Sequence, residues 1–114
     1  MSASKMIAGR PLVDVPDVTI GEQLLSSMDD DPSAEFFIDG PSGRKWSRQE
    51  VKNHAIKIAG YLINCADVQI GDKVAVYVNN CDLNAICQYG VWAAAAVVVG
   101  CYWTNTSGIT DIYD

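Results

Sequence analysis

An α/β fold with a parallel pair of strands follows from three features of this 114-residue sequence. Val74-Ala75-Val76-Tyr77-Val78 and Val97-Val98-Val99-Gly100-Cys101-Tyr102 are short apolar runs of the β-branched and aromatic kind that suits a pleated strand. Between them Leu83, Ile86, Cys87, Gly90, Val91 and Ala94 recur at helical spacing. Ahead of both lies a capped helical stripe that begins at Ser47. Two strands joined through a helix form a right-handed crossover, and that connection sets them parallel.

Residues 1–18 hold Pro11 and Pro16 and no sustained period, so they are read as an extended arm, with a partial domain running over 19–114. Thr19-x-x-Glu22 is a capping box, in which the hydroxyl accepts from the first turn and the carboxylate reaches back. Ile20, Leu24, Leu25 and Met28 form the expected apolar face, and Asp29-Asp30-Asp31-Pro32 ends the helix. Phe36-Phe37-Ile38 and Lys45-Trp46 flank Gly40-Pro41-Ser42-Gly43, which predicts a β-hairpin.

Ser47-Arg48-Gln49-Glu50 is a second capping box. Behind it Val51, Ala55, Ile58, Ala59, Leu62 and Ile63 make one buried stripe. Gly71-Asp72 turns the chain into Val74 to Val78, a continuous apolar strand expected to be covered on both faces. Past the second strand, Ser107 is placed to cap a helix carrying Ile109, Ile112 and Tyr113. About two turns remain before Asp114, so the chain is read as ending inside an element.

Composition narrows the function. With 49% hydrophobic and 19% charged residues the chain is globular in type, and its length lets it bury roughly two-thirds of its unfolded surface. A net charge of −6, with the eight Lys and Arg scattered, argues against nucleic acid and anionic membranes as partners. Cys65, Cys81, Cys87 and Cys101 show no metal-type spacing, and His54 lies far from them in sequence, so no zinc site is expected. Met1 to Arg10 lacks a secretory signal, which points to reduced, packed thiols in a cytoplasmic setting and sets aside the glycosylation pattern at Asn105-Thr106-Ser107.

Trp46-Ser47-Arg48-Gln49-Glu50-Val51, Ala59-Gly60-Tyr61-Leu62, Gly71-Asp72-Lys73-Val74-Ala75-Val76 and Asn80 together resemble the opening of the adenylate-forming synthetases and ligases, the family of acyl-CoA synthetases, 4-coumarate:CoA ligases and beetle luciferases. The family's Thr-Tyr-x-Glu-Leu is similar to Trp46 to Val51, with the acid displaced by one residue. Its Gly-Asp-x-Val is Gly71 to Val74, its Pro-Asn-Ser is Asn79-Asn80-Cys81, and its Leu-Lys-Ala-Gly-Ala is Trp92 to Ala96. Ala95 stands where glycine is common and Gly100 where proline is common. Alanine at 95 predicts a locally different turn, since a Cβ disfavours positive φ.

The resemblance implies the first part of the large N-terminal domain. In complete members it implies ATP, magnesium and CoA as cofactors and a carboxylic acid as substrate. Such members use a Thr-Ser-Gly-Thr-Thr-Gly loop for phosphates, a later acid for ribose and a lysine from a small C-terminal domain. The last two have no matching position here, so the chain is expected to be a truncated member, inactive alone, with complete homologues cytoplasmic or peroxisomal. Thr106-Ser107-Gly108-Ile109-Thr110 imitates the phosphate loop but lacks the following glycine and lysine and is better explained as a helix cap.

No residue is assigned a catalytic, cofactor-binding or metal role. His54, the Asp29-Asp30-Asp31 run and the aromatics Tyr61, Tyr89, Trp92 and Trp103 are each read as structural. Cys81 would gain thiolate character at a helix start. Two other classes stay open: a non-catalytic interaction module, self-associating through uncovered apolar surface, and a single-span membrane protein using the uncharged stretch Leu83 to Trp103.

Overall fold

The computed structural model describes residues 9, 10 and 14–101. Their elements run α1 Ile20–Ser27, β1 Glu35–Ile38, β2 Lys45–Ser47, α2 Arg48–Asn64, β3 Lys73–Val76, α3 Asp82–Ala93 and β4 Val97–Gly100. β1 and β2 pair antiparallel, while β3 and β4 pair parallel with α3 as the crossover. The helix expected beyond Ser107, Trp103 and the phosphate-loop imitation lie outside the described residues.

Both capping boxes form. Glu22 N–H donates to Thr19 Oγ1 at 3.1 Å and Glu50 N–H to Ser47 Oγ at 3.2 Å, and each carboxylate accepts the reciprocal bond from its cap N–H. They fix where α1 and α2 begin. α1 seats most of the face its spacing predicts: Met28 is buried and Leu24 and Leu25 are half-buried, but Ile20 is 65% exposed, and Gly21 is buried against the backbone of Trp92 at the end of α3. A Cβ at Gly21 would fall 2.2 Å from the Trp92 carbonyl oxygen, so close approach of two main chains joins the apolar residues in seating this helix.

α2 buries Val51, Ala55 and Ala59, leaves Ile58 and Leu62 half-buried, and exposes Ile63 at 47%. The stripe is therefore buried as far as Leu62, which packs against the core, and only its last member, Ile63, stands outside it. α3 lies along α2 with Gly90 over Ile58. β3 and β4 are shorter than their apolar runs and register Val74 on Val98 and Ala75 on Val99. On the inner face Val74, Val76, Val78 and Val98 join Val91, Ala96, Leu62, Val68 and Cys87 in the core. The outer face is not covered as expected, since Ala75 is exposed and Val97 is 46% exposed.

The uncharged stretch starting at Leu83 is no membrane-spanning rod. Among the described residues no helix is long and apolar enough to cross a membrane. α3 stops at Ala93, Ala95 takes φ +56°, and the chain re-enters the sheet as β4.

Candidate functional site

Parallel sheets present their ligands at the carboxyl ends of the strands, because the crossover brings loops and helix starts together there. At that end of β3 and β4 a cavity of about 270 Å³ is lined by Val76, Val78, Asn80, Asn84, Gln88, Gly100 and Cys101. Its polar wall is an amide ladder. Asn80, Asn84 and Gln88 stand at i, i+4 and i+8, Gln88 Nε2 donates to Asn84 Oδ1 at 2.9 Å, and Asn84 Nδ2 reaches the Val78 and Asn79 carbonyls at 3.5 and 3.4 Å. Such a wall can donate and accept hydrogen bonds but carries no charge. It offers no acid, base or cation to a reacting group.

Beside the mouth, a carboxylate hub fixes the start of α3. The Asp82 side chain, fully buried, accepts from Arg44 Nη2 and Trp46 Nε1, both at 2.9 Å, and from the Leu83 N–H at 2.9 Å, while Arg44 Nε sits 2.9 Å from Asp82 Oδ2. Asp82 N–H donates to Asp39 Oδ1 at 3.1 Å, and Asp39 Oδ2 accepts from the Ser42 N–H and hydroxyl. Bonds from Ser42, its hydroxyl first, hold the Asp39 carboxyl below its ordinary value of 3.8. Among the described residues no buried side-chain nitrogen or oxygen lacks a partner, so the buried part of this hub acts as an anchor.

The other side chains weighed in the sequence have the following surroundings. His54 is exposed, its Nδ1 2.9 Å from the Glu50 carbonyl oxygen and its ring edge-on to Trp46 at 5.1 Å. Asp29 pairs with Lys52 at 2.6 Å, and Asp31 accepts from the Ser33 hydroxyl. Among the described residues no cluster of His, Cys, Asp or Glu could hold a metal ion. Tyr89 packs with Trp92 and Phe36 at 5.8 and 5.9 Å, whereas Tyr61 stands 63% exposed and joins no wall.

None of the four cysteines is in a disulfide, and their burial is not uniform as expected: Cys101 is buried, Cys81 and Cys87 are half-buried and Cys65 is exposed. Cys81 does hold the N-cap position of α3, but its side chain makes no capping bond and Asp82 takes the donor instead. Burial, with Cys81 beside it, pushes the Cys87 thiol up.

Sequence reasoning did not single out Asp82, Arg44 or Asn84 with Gln88 as a ladder. The i, i+4, i+8 recurrence of amides at Asn80, Asn84 and Gln88, running into a helix without Lys or Arg, was the available signal. Nothing local marks Asp82, whose partners Arg44 and Trp46 lie 38 and 36 residues away.

The family model described as "AMP-binding enzyme" matches residues 25–108. A long-chain-fatty-acid–CoA ligase from Bacillus subtilis (strain 168) is 39% identical over 57 residues, covering 50% of this chain and 10% of the ligase. Among solved structures, the nonribosomal peptide synthetase FmoA3, in a form bound to alpha-methyl-L-serine-AMP, superimposes with TM-score 0.78 at 23% identity, covering 89% of this chain and 11% of that one. The N-terminal subdomain of Klebsiella oxytoca NpsA, in complex with anthranilyl-AMSN, gives TM-score 0.72 at 17% identity over 82% of this chain and 24% of its own. The structural likenesses speak for the fold alone. The chain spans about a tenth of the length of the curated relative it matches.

Two motif departures change meaning in three dimensions. Ser47 and Glu50 are N-cap and N3, the same separation as Thr and Glu in Thr-Tyr-x-Glu-Leu, so aligning the pattern on Ser47 removes the displacement at the acid. Ala95 takes φ +56°, the left-handed conformation that glycine adopts freely, and its carbonyl accepts from Gly71 N–H at 2.9 Å.

Proposed function

The chain belongs to the AMP-binding enzyme family, and from that premise we propose that it is the opening part of the large N-terminal domain of an ATP-dependent acyl-CoA synthetase, the class that activates a carboxylate as its acyl-adenylate. The observation that carries this reading is the parallel β3-α3-β4 crossover lying within the matched residues, with Gly71-Asp72-Lys73-Val74 leading into β3. The identity with a fatty-acid ligase favours an acyl acid over an amino acid as substrate.

By itself the chain does not form acyl-adenylate. Stabilising a transferring phosphoryl or adenylyl group needs placed cations and donors. The lining of the mouth contains only apolar, amide and thiol side chains, and Arg44, the nearby guanidinium, is already bound by Asp82. These residues do not fit a magnesium triphosphate, so no step is assigned to them. Their part is to shape one wall of a cleft whose reacting groups come from other segments. A reducing, cytoplasmic setting belongs to the same reading and agrees with four cysteines outside any disulfide.

Two measurements test it. Pyrophosphate release by the purified chain with fatty and aromatic acids, ATP, magnesium and CoA is expected at background, and robust turnover refutes the assigned division of labour. In a chimera, residues 25–108 replace the corresponding part of the Bacillus subtilis ligase. It is expected to retain acyl-CoA formation within about tenfold of the parent, the loss that ~1.4 kcal/mol of misfit would cause. A chimera that folds yet forms no acyl-CoA refutes the lineage of function.

A further inference from the structure

We infer that Arg44 and Asp82 are positioning residues for the amide wall of the cavity mouth: through their ion pair the β1–β2 hairpin sets where Asn84 and Gln88 stand. The inference rests on the function proposed above, in which that wall borders a substrate cleft, and adds to it the distant side chains that hold the wall in place. Neither member of the pair lines the cavity itself.

α3 carries the wall but does not secure its own start. α1 and α2 each begin on a capping box, whereas Cys81, the N-cap of α3, makes no side-chain capping bond. The hairpin supplies what is missing. Asp82 N–H donates to Asp39 Oδ1 at 3.1 Å, and one guanidinium holds the Asp82 carboxylate twice, Arg44 Nη2 to Oδ1 and Nε to Oδ2, both at 2.9 Å. A bidentate pair of this kind fixes direction as well as distance. Apolar packing takes over only later in the helix: Leu83 is 45% exposed, Asn84 and Ala85 are half-buried, and Ile86 is the next buried residue.

Asn84 follows Asp82 by two residues, about 200° around the helix axis, so the aspartate turns to the hairpin while the amide turns to the strand ends. Its own bonds to the Val78 and Asn79 carbonyls, at 3.5 and 3.4 Å, lie at the long limit for N–H···O and hold it weakly. Gln88 in turn leans on Asn84 Oδ1 at 2.9 Å. A rotation of the first helical turn at Asp82 therefore displaces both amides.

Arg44→Lys tests the inference, because it keeps the charge and removes the fork. In proton–nitrogen correlation spectra of the 114-residue chain, the side-chain amide signals of Asn84 and Gln88 should shift together with the Trp46 indole N–H, which shares the Asp82 carboxylate. Those of Asn53 and Asn64, on the exposed side of α2, should stay in place. Arg44→Gln, with a donor but no charge, should shift the same signals further. In the chimera, Arg44→Lys should raise KM for the acid, ATP or CoA at least about threefold with kcat within about twofold, the pattern of lost binding without lost chemistry.

A Trp46 signal that moves while Asn84 and Gln88 stay makes the pair a stabilising anchor alone and overturns the inference. So does a lowered melting temperature in both variants with every amide signal unmoved, or an unchanged KM for all three substrates in an active chimera. An inactive parent chimera defeats the proposed function instead, and the spectra then decide the positioning by themselves.

Discussion

Replacing Gly90 by alanine sets two opposed effects against each other. In an exposed helix the change would stabilise α3 by about 1 kcal/mol through propensity alone. Here a Cβ at position 90 would fall 2.4 Å from Ile58 Cγ2, 2.6 Å from Ile58 Cβ and 3.4 Å from the Ala55 carbonyl oxygen. A rotamer change moves Cγ2 but not Ile58 Cβ, which is fixed by the backbone of α2. Relief therefore requires the two helices to separate, disturbing the packing they share.

Overpacking of this kind costs about 1–3 kcal/mol, and the immovable Cβ puts the case in the upper part of that range, leaving a net loss of about 1–2 kcal/mol. For a domain near 100 residues each kcal/mol lowers the melting temperature by about 4–8 °C, so Gly90→Ala should melt roughly 5–15 °C lower in a calorimetric scan. Ile58→Ala should not rescue it, since the offending Cβ remains. A Gly90→Ala protein that melts at or above the parent, or one restored by Ile58→Ala, would show that the helix contact is not limited by these two carbons.

Ala95→Gly should stabilise: relief of a left-handed alanine gains about 1–2 kcal/mol, glycine's extra freedom when unfolded returns about 0.5–1, and chemical denaturation should report a net gain of about 0.5–1. Arg44→Ala leaves the buried Asp82 carboxylate with Trp46 and Leu83 as donors; because Arg44 is 55% exposed and screened, the loss should be about 2–3 kcal/mol rather than the larger value of a sealed pair. Asp82→Asn, harmful alone, should then be beneficial in the Arg44→Ala background, and simple additivity of the two in urea melts would contradict the hub. Asp39, held below 3.8 when folded, contributes stability that is complete above its unfolded value and is lost as pH falls through the lowered one. Ser42→Ala removes the principal cause, so the acid limb of urea midpoints measured from about pH 2 to 6 should move to higher pH; an unmoved limb contradicts the assignment.

What the sequence revealed and what it concealed divide along physical lines. Thr19 with Glu22 and Ser47 with Glu50 encode their helix starts within four residues, and the structure forms both boxes. The valine runs and the helical spacing between them likewise encode the parallel crossover, since period and β-branching are local properties. Helix ends were harder: α2 and α3 both close on left-handed residues that are not glycine, Asp67 at φ +54° and Ala95 at φ +56°. Burial was less legible, because Ile20 and Ile63 satisfy a helical stripe yet face away from any partner, while Gly21, which has no side chain to read, lies at the α1–α3 contact. The Asp82 hub was invisible for a related reason. Its members are ordinary polar residues until the fold brings positions 39, 44, 46 and 82 to one point.

That hub also constrains the length of the chain. Five residues, Tyr77 to Cys81, bridge the last residue of β3 and the first of α3. Adding or removing one of them would rotate the aspartate about 100° around its helix axis, because each residue of an α-helix advances by that angle. The hairpin's arginine and indole would then point at an empty position. Variants of this segment are thus bound to keep the residue count of the β3–α3 linker as well as the core contact of its Val78, which makes the linker a ruler as well as a connection.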